Sequence, residues 1–282
     1  MSTEQPDYIR LRFPVSEHDE QVQALLHSLE PLGFLEEEST WEAYFPCEAW
    51  DGGISDAFSA SLHRLRLDIV YDVERFEKQN WNKEWEDSIT PVRVSDRIVI
   101  TPSWHTVDTR EDEILLVIDP KMSFGTGFHA TTRLMLRLME QTVQAGDTVL
   151  DVGTGTGVLA IAAVKLGAQA AEGMDIDEWS KENAEENCIR NGVLSQVRIH
   201  HGSLETVHGP YDLILSNITR NDNIEMLPAL AAMLRKGGRI VLSGFYSTDR
   251  GDLLSALHDN GFTLIAEMAE DEWHAISGEK AS

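Results

Sequence analysis

Acids and glycines at fixed spacing mark the part of the chain that can do chemistry. Asp151 is followed by Gly153, Gly155 and Gly157 in the run Val149–Leu159, VLDVGTGTGVL. Glycine tolerates positive φ and carries no side chain, so such a turn lets the backbone come close to a ligand. A further acid, Asp175, lies 20 residues beyond Gly155. That is the spacing at which the next strand of a nucleotide-binding crossover presents its tip. A carboxylate there can accept hydrogen bonds from both hydroxyls of a ribose.

Two details select the ligand. A dinucleotide fingerprint needs a third glycine where this chain has Val158. Asp151 also stands just before the turn, where a pyrophosphate would be repelled, since phosphates favour helix N-termini free of carboxylates. S-adenosylmethionine has no phosphate and carries an ammonium and a sulfonium. The pattern Asp-x-Gly-x-Gly-x-Gly with a later Asp therefore reads as a site for S-adenosylmethionine. Asp151, Gly153, Gly155, Gly157 and Asp175 are its candidate cofactor contacts.

Three more candidates lie outside this run. Phe124-Gly125-Thr126-Gly127-Phe128-His129-Ala130-Thr131-Thr132 is a glycine loop leading into a helix over 131–139, and it can fold over a ligand as a lid. Thr132 can reach the methionine part of the cofactor, a reading that competes with simple helix capping by Thr or His. His129 is a candidate proton acceptor, against the alternative of a structural hydrogen-bonder. Asn217 ends the run YDLILSN, at a strand carboxyl end where an open α/β sheet collects its ligands. Its oxygen can accept a hydrogen bond from a reacting amine; the competing reading is a plain turn asparagine.

These residues need a scaffold of alternating strands and helices. Strands are expected over 148–152, 170–174, 196–200, 211–216 and 239–244, with helices over 158–166, 178–191, 226–234 and 253–258. Residues 262–268 and 272–277 read as a closing antiparallel pair, and 92–100 and 114–118 as strands that open this second domain. His201-Gly202-Ser203 is the turn where an adenine edge would sit.

Residues 1–76 read as a separate β-α-β-β-α-β unit, the order of a ferredoxin-like sandwich. Its helices are marked by Val22, Leu25, Leu26 and Leu29 and by Phe58, Leu62 and Leu65; its last strand is expected over 69–73. It holds no catalytic constellation and is expected to recognise the substrate. Residues 77–91 read as a helical linker with Trp81 and Trp85 on one face, closed by Pro91. The domains are thus expected at 1–76, 77–91 and 92–282.

The formal net charge is −25. It argues against a nucleic-acid surface, which needs clustered Lys and Arg. It suits encounter with a basic partner. Solubility, or a saline cytoplasm given the scarcity of Lys beside Arg, explains the charge equally well. Cys47 and Cys188 are too few and too far apart for a disulfide framework or a zinc site, and no metal is expected. The amino terminus lacks a signal-type apolar core, and no run is long enough to span a bilayer. A cytoplasmic monomer is expected, without membrane or stable nucleic-acid binding.

Several of these segments together resemble the bacterial ribosomal protein L11 methyltransferases. They are Gly125-Thr126-Gly127 with His129 and Thr131-Thr132, Asp151 to Gly157, Asp175-Ile176-Asp177, and Asn217-Ile218. Trp81-Asn82-Lys83-Glu84-Trp85 and Thr101-Pro102-Ser103-Trp104 also match. The glycine motif alone fits any class I methyltransferase; the upstream loop and Asn-Ile narrow it. The resemblance implies an α/β fold, a Rossmann-like class I methyltransferase domain with a mostly parallel seven-stranded sheet. A small α+β ferredoxin-like domain precedes it. It also implies methyl transfer from S-adenosylmethionine to lysine ε-amines and the terminal α-amine of that ribosomal protein. The first domain would bind the substrate, and the linker would let it reposition. Carried over by position, Thr132, Gly153, Asp175 and Asn217 are cofactor contacts. Ala130 departs from the His-Pro-Thr-Thr common in the family. Ile218-Thr219-Arg220 lacks the Pro-Pro-aromatic run that stacks a flipped base. Two rivals stay open: a class I methyltransferase acting on RNA or a small molecule, and a non-catalytic cofactor-dependent ribosome-assembly protein.

Overall fold

The structure, a computed structural model, describes residues 8–14, 19–29, 31–36, 40–67, 69–76, 89–121, 125, 127 and 129–281. The chain forms two compact units, Met1–Ser88 and Ile89–Ser282. The expected linker helix with Trp81 and Trp85 lies outside the described residues.

In the first unit, β1 (Tyr8–Pro14), α1 (Asp19–His27), β2 (Gly33–Glu36), β3 (Thr40–Pro46), α2 (Ser55–Leu65) and β4 (Asp72–Phe76) follow one another. The sheet order is β2-β3-β1-β4, every neighbour antiparallel. That is the ferredoxin-like arrangement. Strict alternation places Ile9, Leu11 and Phe13 in the core, where they meet Val22, Leu26, Phe58 and Leu62 from the helices. Leu65 instead ends its helix exposed. The last strand begins at Asp72, three residues later than expected. The apolar Ile69 and Tyr71 pack on the core as an approach segment. The strand itself carries charge, with Glu74 paired to Arg10 of β1 and Arg75 to Asp51, so its sequence does not read as apolar.

The second unit opens with a small sheet of β5 (Val92–Arg93), β6 (Ile98–Thr101) and β7 (Ile114–Val117). The single strand expected over 92–100 is in fact a hairpin. Ser95 Oγ accepts from the N–H groups of Arg97 and Ile98, both at 3.1 Å, and makes the turn.

Then follow α3 (Ala130–Thr142), β8 (Thr148–Val152), α4 (Val158–Lys165), β9 (Ala170–Asp175), α5 (Glu178–Arg190), β10 (Val197–His201), β11 (Tyr211–Asn217), α6 (Arg220–Met233), β12 (Leu234–Tyr246), α7 (Arg250–Asp259), β13 (Phe262–Glu270) and β14 (Trp273–Lys280). The seven strands lie in the order β10-β9-β8-β11-β12-β14-β13. Only β14 runs against its neighbours. Successive side chains alternate between two cores. Val149, Leu213, Leu215 and Val241 face one, with α3 and α4; Leu150, Ile214, Ile240 and Leu242 face the other, with α6 and α7. Helix α4 shows no wet stripe because all of Val158 to Val164 is buried. Helix α6 starts six residues earlier than expected. Thr219 Oγ1 accepts from the Asp222 N–H and caps it, while the polar run behind the cap lacks an apolar stripe. Strand order reverses between β8 and β11, so the carboxyl edge there is the topological switch point.

Candidate active site

Strand β8 delivers the glycine turn to that edge. Gly153, Gly155 and Gly157 all have positive φ, at 68°, 53° and 80°. At Gly153 a side chain would also collide, since an added Cβ would lie 2.6 Å from Ile218 Cγ2. The turn is tied to β9 by the N–H groups of Gly153 and Thr154, which both donate to Met174 O at 2.9 and 3.0 Å. Asp175 stands at the tip of β9. One of its oxygens accepts from Gly155 N at 2.9 Å and the other from Asp177 N at 3.0 Å. Gly202 N donates to Asp175 O at 2.8 Å, which fastens the turn after β10 to the same tip.

Asp151 lies beneath the turn, fully buried. Its Oδ2 accepts from Thr154 Oγ1 at 2.7 Å and from Ala160 N at 3.2 Å. Burial pushes its carboxyl up to about 7, against the pull of those two hydrogen bonds.

Asn217 ends β11 beside Ser243 of β12. Ile218, the next residue, is held from two sides. Gly153 presses on its side chain, and Gly244 sits so close that a Cβ there would be 1.9 Å from Ile218 O. Both positions therefore need glycine to admit Ile218, the neighbour of Asn217.

The upstream loop reaches the turn through Thr156, whose Oγ1 donates to Gly125 O at 2.8 Å. Helix α3 packs across β12, β13 and β14, and Arg133 and Arg137 of α3 both pair with Glu270 of β13. His129 caps α3: its Nδ1 accepts from Thr131 N at 3.4 Å and lies 2.8 Å from Thr131 Oγ1. Its ring meets Trp273 edge-on at 4.6 Å. Burial, then the charge of Arg133, lowers its pKa. Both effects favour the neutral imidazole, and Nδ1 is engaged in the cap. Thr132 follows it, fully buried.

Strands β9, β8 and β11 are neighbours, so Asp175, Asp151, the three glycines and Asn217 share one edge. His129 and Thr132 lie at the start of α3, Thr132 fully buried. Buried side-chain atoms without a hydrogen-bond partner among the described residues include Thr132 Oγ1, Asp151 Oδ1 and Asn217 Oδ1. Asn217 Oδ1 is a pure acceptor, and Asp151 Oδ1 is one when its carboxyl is ionised. A phosphate has no N–H to give them, whereas a ligand carrying an ammonium or an adenine amine has several. The donor set thus fits S-adenosylmethionine. Cys188 is buried, its thiol pushed up to about 12 by burial, and is inert as a nucleophile. Missed in the sequence were Asn187, which donates to Thr156 O of the turn, Asn183, which donates to Asp119 O beside it, and Thr156, which ties the turn to Gly125. The signal was the spacing of Asn183, Asn187 and Asn191 on one helical face.

A seven-stranded sheet with its last strand inserted antiparallel, and an acid-flanked glycine turn at its switch point, define a class I methyltransferase fold. Comparison with known proteins narrows this. Residues 14–281 match the family model described as ribosomal protein L11 methyltransferase (PrmA). A protein of that name from Halalkalibacterium halodurans is 34% identical over 261 residues, covering 89% of this chain and 82% of its own. One from Chlorobaculum parvum is 38% identical over 246 residues, covering 85% of each. Among solved structures, the ribosomal protein L11 methylase of Lactobacillus delbrueckii subsp. bulgaricus is 31% identical with a TM-score of 0.65. It covers 69% of this chain and all of its own. The chain belongs to the ribosomal protein L11 methyltransferase family.

Proposed function

We propose that this chain transfers methyl groups from S-adenosylmethionine to amino groups of ribosomal protein L11, on lysine ε-amines and the terminal α-amine. Asn217 Oδ1 carries this reading: a buried acceptor at the switch point with no partner of its own among the described residues. Bound S-adenosylmethionine supplies an electrophilic methyl group on a sulfonium. Asp175 binds the ribose. The glycine turn lets the backbone close on the ligand, and Thr132 meets its methionine part. Asn217 orients the incoming amine, and the in-line displacement needs its nitrogen at about 3 Å from the methyl carbon.

A free lysine titrates at about 10.4, so the pocket must favour the neutral amine. Burial beside a positive ligand does so, since both effects disfavour an ammonium. Catalysis is then positioning and desolvation. His129, whose Nδ1 is taken up by the helix cap, is the weaker candidate for proton removal. The first unit is read as the substrate-recognition module, because the candidate site residues all fall in the second. The charge of −25 favours approach of a basic partner. Among the described residues no helix is long and apolar enough to cross a membrane.

Incubation with radiolabelled S-adenosylmethionine and a ribosomal-protein fraction tests this. Label in one small basic protein, with mass gains of whole methyl groups, is the expected result. Label in RNA or in a metabolite instead, or binding without transfer, overturns it.

A further inference from the structure

One face of α5 carries a ladder of amides. Asn183, Asn187 and Asn191 recur every four residues and so lie above one another. Asn191 stands beside Val117, the last residue of β7: its Oδ1 accepts from Val117 N at 3.0 Å and its Nδ2 donates to Val117 O at 2.6 Å. One turn earlier, Asn187 does the same for Asp119. Its Oδ1 accepts from Asp119 N at 3.0 Å and its Nδ2 donates to Asp119 O at 3.2 Å. Asn183 Nδ2 adds a second donor to Asp119 O at 2.9 Å. Val117 and Asp119 alternate along the chain, so the amides take the place of a neighbouring strand. Buried backbone groups need such partners.

Asn187 does one thing more. Its Nδ2 also donates to Thr156 O at 3.0 Å, and Thr156 Oγ1 in turn donates to Gly125 O. Asn187 is fully buried. One side chain thus joins the stem of the upstream loop, at Asp119, to the glycine turn. The stem is held separately by the Asp119 carboxylate, which accepts from Ser103 N at 2.7 Å and from Ser103 Oγ at 2.8 Å and pairs with Arg190. Only an amide can serve here. It must accept from one N–H and donate to two carbonyls, which neither a carboxylate nor an apolar side chain can do.

We propose that Asn187 is a positioning residue for the methyl-donor pocket, holding the Asp119 backbone and the Thr156 carbonyl at one separation so that the glycine turn keeps the shape that faces the ligand. This rests on the methyl-donor reading above. Asn191 makes the same kind of bond one turn away and does not touch the glycine turn, so it serves as the control.

The test uses the full chain and S-adenosylhomocysteine as the probe, read by calorimetry and steady-state kinetics. Asn187→Asp keeps the acceptor and loses both donors. It is expected to raise the Kd for the probe and the KM for the donor about tenfold, the effect of losing the one of these bonds that reaches the glycine turn, at Thr156 O. It should leave kcat at saturating donor and the KM for the protein substrate within about twofold. Asn191→Ala is expected to lower the thermal midpoint while leaving that Kd within about twofold. Should Asn187→Asp fail to fold, Thr156→Val removes the hydroxyl link to Gly125 and is expected to weaken probe binding in the same selective way. Where both fold, their losses should not add, because they act on one junction. A Kd equal to wild type in the folded variants, or an equal rise in Asn191→Ala, overturns the proposal. Wild-type protein that does not bind the probe overturns the methyl-donor reading itself.

Discussion

The two flanks of the switch point are built differently. On the β8–β9 flank the polar groups at the strand tips are already paired; only Asp151 Oδ1, beneath the turn, has no partner among the described residues. Both oxygens of Asp175 accept backbone N–H groups, and the turn is fastened to Met174 O. On the β11–α3 flank, Asn217 Oδ1 and Thr132 Oγ1 are buried with no partner among the described residues. The first flank keeps its shape by itself. The second carries the desolvation cost of unmade hydrogen bonds, of order 1–3 kcal/mol per group, which a ligand with donors relieves. The difference separates shape from reactivity: one side pre-forms the seat, the other gains its partner only when the ligand arrives.

The strongest way to break this contrast is Asp175→Ala. It removes the anchor of Gly155 and the candidate ribose acceptor at once. The Kd for S-adenosylhomocysteine should rise roughly 100-fold, about 3 kcal/mol for hydrogen bonds to a charged group, and the thermal midpoint should fall. Unchanged affinity by calorimetry would remove the ribose role. Asn217→Ala should behave oppositely. Turnover is expected to drop about tenfold, as for loss of one buried hydrogen bond, while the thermal midpoint holds or rises because a buried unpaired oxygen is gone. Full activity in that variant, or a clear loss of stability, would place Asn217 on the wrong flank.

How far the sequence showed this depends on where the physics is local. The strand, glycine turn and helix from Thr148 to Lys165 were legible because their backbone needs select residue types directly. So was the carboxyl-edge position of Asp175 and Asn217, which follows from chain order. The last strand of the first unit was not, because Asp72 to Phe76 is held by its ladder to β1 and by ion pairs of Glu74 and Arg75 rather than by an apolar pattern. The break at Ser95 was hidden because one side-chain oxygen makes it. The amide face of α5 was the deepest omission. Asn183 and Asn187 carry no apolar signal, yet both are buried against backbone that is distant in sequence. Periodicity reports which residues share a face, not whether that face meets water or unpaired peptide groups.

A subtler probe lies beneath the turn. The Asp151 carboxyl is raised to about 7 in the folded chain, against about 3.9 unfolded. Between those values the folded state keeps a proton that the unfolded chain has released. Asp151 therefore contributes stability that is fully present below about pH 4, falls as pH rises through this window, and levels off above about pH 7. Comparing urea unfolding at pH 5 and pH 8, Asp151→Asn should show a flatter dependence than wild type. Parallel curves would mean that Asp151 is ionised throughout.

The smallest expected effect discriminates most finely. Thr132→Val keeps the shape and β-branching of a fully buried side chain and removes only its hydroxyl. With no partner on Oγ1 among the described residues, the ligand-free protein loses no hydrogen bond. Its thermal midpoint should stay level or rise slightly. The Kd for S-adenosylmethionine should rise about threefold, or about 0.7 kcal/mol, the lower range for a neutral hydrogen bond. A drop in stability without any change in affinity would show that the hydroxyl serves the helix start and not the ligand. Thr132 would then join the pre-formed flank, leaving Asn217 as the group that waits for its partner.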